Sequence, residues 1–163
     1  MAIAVLLLTG LNATAQKKAA SPQSKIEGTI NGVPVSIDYH QPSARGRKIM
    51  GGLVPYGKVW RTGANKTTSI KFGVPVKIAD TEVPKGKYAL FSIPGETEWT
   101  IIINKQIKWG AYSYDEKYDI ARVSAKPLTT PSFVETFTIV LEDNHIVLLW
   151  ENTKVAFTLS EAK

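Results

Sequence analysis

The chain has 163 residues, of which 44% are hydrophobic and 21% are charged, and its formal net charge is +6 at pH 7. This length and composition are typical of one globular domain. The sequence contains no cysteine, which excludes disulfide bonds, thiolate metal sites and a cysteine nucleophile. The positive charge favours acidic surroundings such as anionic glycans, phosphorylated lipids or acidic proteins. Because the basic residues are spread out and form no nucleic-acid motif, we expect no nucleic-acid partner.

The first fifteen residues, MAIAVLLLTGLNATA, have the pattern of a secretory signal peptide, in which an apolar run leads to the small-x-small site Ala13-Thr14-Ala15. The run is too short for a spanning helix, which takes about 20 apolar residues, and the polar residues after it argue against a buried N-terminal helix. We therefore expect an exported protein, periplasmic or secreted, with no transmembrane segment in the mature chain. A flexible linker over residues 16–24 would precede a single domain over residues 25–160.

The clearest local pattern in the domain is a β-hairpin. Two strand-like runs, 25–30 and 33–40, flank Asn31-Gly32, the dipeptide that favours a two-residue type I′ turn. The second run alternates apolar and polar residues, so Asp38 and His40 lie together on its polar face.

Further short strands follow, separated by turns rich in Gly, Pro and Asn, with no convincing helix. Pro75 predicts an edge position for its strand, and Trp99, in phase with Ile101 and Ile103, predicts a core position. About nine or ten strands in this pattern predict an all-β fold, a single antiparallel β-sandwich or jelly-roll-like domain. After the hairpin, the predicted strands are 67–72, 74–78, 87–93, 99–104, 120–125, 133–141, 146–150 and 154–159.

Two long segments have neither helical nor strand periodicity, and such segments are commonly functional. The first, residues 39–65, is rich in arginine, tryptophan and glycine, and the second, residues 105–119, carries WGAYSYDEKYD. The glycines of the first segment lack the spacing of a phosphate-binding loop or a dinucleotide fingerprint, so we interpret them as turn residues.

The sequences GRKIMGGLVPYGKVWRTGAN (46–65), VPKGKYALFSIPG (83–95) and WGAYSYDEKYDIARV (109–123) resemble the uncharacterised bacterial family called domain of unknown function 2911. The resemblance covers about residues 25–159. It implies an exported or envelope-associated protein of mostly β structure, and it implies no activity and no catalytic residues.

The two irregular segments have opposite chemical character. Guanidinium groups suit carboxylates, phosphates and acidic sugars, and the second segment supplies carboxylates. In one interpretation the segments pair with each other, for example Arg61 with Asp115 or Asp119, and bind nothing. In the other they form a site in which arginines meet an anionic ligand. The predicted ligand-binding residues are Arg47, Trp60, Arg61, Asn65, Tyr114, Asp115 and Asp119.

The sequence offers little for catalysis. Asp38 and His40 form at most a fragment of a metal site, so we predict neither a metal nor another cofactor. His40 is a weak catalytic candidate, because no nucleophile motif accompanies it. Aromatic residues in or beside the irregular segments could stack on sugar rings, and Trp60 and Trp109 are the tryptophans to test.

Three hypotheses follow. The first is a non-enzymatic, exported, envelope-associated binding module whose partner is an anionic glycan, a lipid headgroup or an envelope protein. The second is a hydrolase of envelope polymers that uses His40 with an acidic partner, which requires His40 to face a concave pocket containing a carboxylate. The third is a purely structural envelope module in which every arginine is satisfied internally.

Overall fold

The computed structural model describes residues 19–163, so the expected signal peptide and the start of the expected linker lie outside the described residues. The regular structure of the described part is almost entirely β, and its helices are two short 3-10 helices, Ala111–Ser113 and Glu116–Tyr118. Its strands are β1 Gln23–Ile30, β2 Val33–His40, β3 Ser69–Phe72, β4 Val76–Ile78, β5 Thr81–Val83, β6 Gly86–Ile93, β7 Trp99–Asn104, β8 Asp119–Ala125, β9 Leu128–Glu142, β10 His145–Phe157 and β11 Ser160–Glu161.

The strands form three antiparallel sheets. A six-stranded sheet has the order β1-β2-β3-β6-β7-β8, the long strands β9 and β10 form a hairpin, and β4 lies between β5 and β11 in a small third sheet. The main core is shared by apolar residues of all three. This arrangement confirms the all-β, sandwich-like fold.

The first hairpin forms as its sequence predicts. Asn31 and Gly32 have φ of 48° and 80°, the positive values that a type I′ turn requires, and Ile30 pairs with Val33 across the turn. The apolar residues of β2 are buried and its polar residues are partly exposed, because successive side chains of a strand point to opposite faces. β1 begins two residues earlier than expected, at Gln23, which pairs with His40.

Two strand predictions are wrong. The edge position expected from Pro75 is not observed, because β4 begins after Pro75, at Val76, and has neighbours on both sides. The expected separate strands 146–150 and 154–159 are joined in one strand, β10, which ends at Phe157. The chain continues through Glu151, which has φ of 53° and lies between two shifts of register, so a bulge replaces the expected break.

The six-stranded sheet presents its inner face to the main core and its other face, here called the outer face, to the second irregular segment. Near β6 and β7 the outer face is apolar, with Ala89, Phe91 and Ile102 buried and Tyr114 packed on them. Near β1, β2 and β3 it carries charged and hydroxyl side chains, because the polar positions of β2 continue in register across β3.

Candidate functional site

The first irregular segment is held in place by carboxylates that bind its backbone. Both oxygens of Glu151 accept hydrogen bonds, from the backbone N–H groups of Ile49 at 2.9 Å and Met50 at 3.1 Å. The Oε1 atom of Glu135 accepts one from the backbone N–H of Arg45 at 2.7 Å. Hydrogen bonds to a charged group are stronger than neutral ones, so these contacts explain how a segment without regular structure has a defined conformation.

Two of its arginines bind backbone carbonyl groups. Arg47 donates from Nε to Ala44 O at 3.0 Å and from Nη2 to Ser43 O at 2.8 Å. Arg45 donates from Nη2 to Ala20 O at 2.9 Å. Part of the donor capacity of these guanidinium groups is therefore used in holding neighbouring chain.

Trp60 lies in the main core. Its side chain is 8% exposed, its ring packs against Trp99, Phe137 and Trp150, and its Nε1 donates to Gly63 O at 3.0 Å. A ring so buried leaves no face for a ligand. Asn65, at the end of the segment, has φ of 55° and reaches Ser21 O at 3.5 Å.

Arg61 differs from its neighbours. The antiparallel bridge between Trp60 and Ser92 places Arg61 beside Phe91, on the outer side of the sheet. Its Nε is buried, and no residue in the range 19–163 accepts a hydrogen bond from it.

The carboxylates of the second irregular segment have partners close in sequence. Asp119 Oδ2 accepts from Tyr114 Oη at 2.6 Å and from Arg122 Nε at 2.8 Å, while Asp115 pairs with Lys117 at 2.8 Å. Burial, followed by the hydrogen bond to Asp119, raises the pKa of Tyr114 to about 12. The hypothesis that Arg61 pairs with Asp115 or Asp119 is therefore wrong, because within the described chain both carboxylates are neutralised by other cations.

This segment crosses the outer face and is attached at two places. At its base, the buried side chain of Asn104 donates to Asp119 Oδ1 at 2.8 Å and to Asp115 O at 3.1 Å. Near its tip, the hydroxyl of Thr67 donates to Lys108 O at 2.7 Å and lies 3.4 Å from Gly110 O. The tip is exposed, with Trp109 66% and Ile107 44% accessible to solvent.

A cavity of about 440 Å³, here called the loop cavity, lies between this tip and the outer face. Its charged groups come from β2, β6, the second segment and the residues just before β3. The carboxylate of Asp38 lies 3.4 Å from Lys87 Nζ. The basic side chains lining the cavity are His40, Lys66, Lys87 and Lys108, and Ile107 and Trp109 supply apolar surface.

His40 lines this cavity together with Asp38. Burial, with a smaller contribution from Lys66, lowers the pKa of the His40 imidazole below its ordinary value, so the ring is neutral at pH 7. Asp38 and His40 project from the same face of β2, two residues apart. His145 lies elsewhere, at the start of β10, with Nδ1 2.7 Å from Asp143 O.

The predicted site residues do not form one site. Tyr114 and Asp119 are in contact, but neither they nor Arg47, Trp60, Arg61, Asn65 and Asp115 line the loop cavity. Lysines in three separate parts of the chain line it instead. The sequence signal that pointed to this place was the polar face of β2, which carries Asp38 and His40.

The fold and the cavity define a class: an all-β, sandwich-like protein with a basic cavity under an irregular segment. The family described as "Protein of unknown function (DUF2911)" matches residues 21–159, and the chain belongs to this family. Neither a curated protein nor a solved structure matches the chain. Among the described residues, no helix has the length and apolarity to cross a membrane, and no cluster of three or more His, Asp or Glu residues is arranged to hold a metal ion.

Proposed function

We propose that this protein is an exported, envelope-associated binding module for an anionic, glycan-like ligand, and that the ligand occupies the loop cavity. One observation carries the proposal: the cavity gathers His40, Lys66, Lys87 and Lys108 around the single carboxylate of Asp38, beside an exposed indole. Export rests on the apolar leader pattern of residues 1–15.

The charges of the cavity favour an anion. Asp38 already has Lys87 as its partner, whereas Lys66 and Lys108 have no carboxylate within ion-pair distance in the described chain. Cations that converge on a concave surface raise the local concentration of anions and accelerate their association. A ligand carboxylate, sulfate or phosphate group would gain partners here without breaking an existing ion pair.

The uncharged part of the cavity favours a glycan. Trp109 presents a broad apolar surface beside polar groups, and the C–H faces of a sugar ring can stack on such a surface. The hydroxyl of Ser69 and the amide of Gln23 also line the cavity and can hydrogen-bond to sugar hydroxyls. The volume of about 440 Å³ lies within the range of small-molecule sites.

Calorimetric titration of the protein with tetragalacturonate, and with neutral maltotetraose as a comparison, tests the proposal. We expect binding of the acidic sugar only, weakened about two- to fivefold by Lys66→Ala or Lys108→Ala and more strongly by Trp109→Ala. The matched control is Lys126→Ala, which removes the same charge from the exposed connection between β8 and β9. Equal affinity of all variants would remove the cavity from the proposal.

The arginines belong in the same assay. If Arg47→Ala and Arg61→Ala bind the acidic sugar as tightly as the unchanged protein, these arginines are not part of the site. The loop cavity then remains the proposed site. A loss of affinity confined to Arg61→Ala would move the ligand toward Phe91 and Tyr114 instead.

A hydrolase of envelope polymers is the second candidate, favoured by the position of His40 in a concave cavity that also contains a carboxylate. A neutral histidine at pH 7 can act as a general base. Chromatography of acidic oligosaccharides after incubation separates the two functions, because a hydrolase releases shorter products and loses this activity in His40→Ala. Unchanged oligosaccharide supports the binding module.

A further inference from the structure

The loop cavity is not closed on the side of β1. A second hollow of about 550 Å³ lies farther along the outer face and shares Asp38 and Lys87 with the loop cavity. The two hollows adjoin at the Asp38–Lys87 ion pair, and together they are here called the outer groove. The second hollow adds Lys25, Glu27, Ser36 and Lys71, and it reaches Pro34 and Gly73.

Strand register defines the direction and length of the outer groove. Asp38 pairs with Lys25 on one side and Ser69 on the other, and Ser36 pairs with Glu27 and Lys71. The groove therefore follows β2 from His40 to Pro34. These seven residues are separated by six steps, which at the rise of a β-strand give a length of about 20 Å.

Positive charge continues along this length. Each of the two carboxylates in the groove already has a lysine partner, with Lys25 Nζ 2.6 Å from Glu27 and Lys87 Nζ 3.4 Å from Asp38. No carboxylate of residues 19–163 lies within ion-pair distance of the other three lysines of the groove, Lys66, Lys71 and Lys108. Lys66 and Lys108 lie at the end near Trp109, and Lys71 lies in the second hollow.

We propose that the ligand of the outer groove is a linear acidic polysaccharide, with one sugar ring against Trp109 and the chain extending along β2 to Lys71. This inference rests on the proposed function, because it assigns the same loop cavity to the first sugars of a longer chain. A single acidic sugar would leave Lys71 and the second hollow unused. A chain with a charge on successive sugars would place an anion near each unpaired lysine.

Chain length provides the test. Affinities are measured by calorimetry for galacturonate oligomers of one, two, four and six units, at one ionic strength because contacts between exposed charges are screened by salt. We expect affinity to rise with length until the chain spans about 20 Å. Lys71→Ala should weaken the six-unit oligomer about two- to fivefold and leave the one- and two-unit oligomers unchanged. Lys108→Ala should weaken all of them, and Lys126→Ala should weaken none.

The outcomes separate this inference from the proposed function. Suppose that short oligomers bind in a Trp109-dependent manner but affinity does not increase with length, or that Lys71→Ala has no effect on the longest oligomer. The proposal of an extended polysaccharide is then wrong, while the proposal of a ligand in the loop cavity is retained. If no galacturonate oligomer binds, both are wrong. Tighter binding of polyglutamate than of hexagalacturonate would assign an acidic polypeptide to the groove, and tighter binding of phosphatidylglycerol vesicles would assign a lipid surface, each overturning the polysaccharide.

Discussion

The two irregular segments are attached to the same sandwich in opposite ways. The first is fixed from outside, by Glu135 and Glu151 of the long hairpin and by the burial of Trp60 in the core. The second is held at its base by Asn104 of β7, in its middle by the packing of Tyr114 on Phe91, and at its tip by the hydroxyl of Thr67, just before β3. The first is therefore part of the core structure, whereas the second leaves a cavity beneath it and exposed side chains above it.

A concentration of one residue type in the sequence does not by itself leave those side chains free to contact a ligand. Arginine and tryptophan are concentrated in the first segment, where Arg47 and Trp60 serve its conformation. Three lysines of the outer groove, Lys66, Lys71 and Lys108, are far apart in sequence and form no ion pair within residues 19–163. The proposed site therefore rests on cations without partners and not on the concentration of one residue type in the chain.

The largest expected effect follows from the burial of Trp60. Trp60→Ala removes contacts with Trp99, Phe137 and Trp150 and should lower the free energy of unfolding by about 3–5 kcal/mol, measured by denaturant titration. Trp109→Ala, which truncates an exposed indole, is the matched control and should change it by less than about 0.5 kcal/mol. If the two variants were equally stable, the first segment would not be part of the core.

Removal of the Glu151 carboxylate should have the next largest effect. Glu151→Ala removes the acceptors of the backbone N–H groups of Ile49 and Met50, two buried residues. We therefore expect a loss of about 1–3 kcal/mol in the free energy of unfolding. Glu151→Gln keeps one acceptor oxygen and should lose less. In contrast, Glu142→Ala breaks an exposed pair with Lys154 and should cost under about 1 kcal/mol. Hydrogen exchange should increase in residues 46–54 of Glu151→Ala only.

Thr67→Val should release the tip of the second segment with a smaller effect on overall stability, about 1 kcal/mol. All four tryptophans of the sequence lie in the described part, and Trp109 is the exposed one, so acrylamide quenching of fluorescence reports on the tip. We expect quenching to increase in Thr67→Val and to remain unchanged in Thr67→Ser, which keeps the hydroxyl. Unchanged quenching in both variants would show that other contacts hold the tip.

The smallest expected effect is the pH dependence contributed by His40, which ends β2 and lines the loop cavity. Burial and Lys66 lower its pKa below 6.5 in the folded state. As the pH falls from 6.5 through this lowered pKa, the unfolded chain therefore binds more protons than the folded chain. Stability therefore decreases over that interval. His40→Gln should flatten this part of the stability–pH curve.

Ligand binding should have the opposite dependence on pH. An anion bound among His40, Lys66, Lys87 and Lys108 stabilises the imidazolium and raises the pKa of His40, although Asp38 already supplies one negative charge nearby. Affinity for tetragalacturonate should therefore increase modestly from pH 7.5 to 5.5, while sugar carboxylates remain ionised. In His40→Gln the increase should disappear, and an unchanged profile would place the ligand away from His40.

Much of the fold was predictable from local patterns. The Asn31-Gly32 turn, the alternation of β2 and the burial of Trp99 follow from backbone sterics and from the two-residue period of a strand. The errors occurred where distant residues overrode a local signal. β10 continues through a bulge at Glu151, whose carboxylate binds the first segment, and Pro75 precedes a strand that has two neighbours.

Sequence alone was sufficient for the all-β class, the family and the polar face of β2, because each depends on residues that are close together in the chain. The partners of the arginines and the place of the cavity depended on the tertiary structure. Strand pairing brings Lys71 and Lys87 beside β2, and the hydrogen bonds of Thr67 hold Lys108 and Trp109 near the outer face. No periodicity in the sequence encodes these contacts, because they join residues from separate strands and segments.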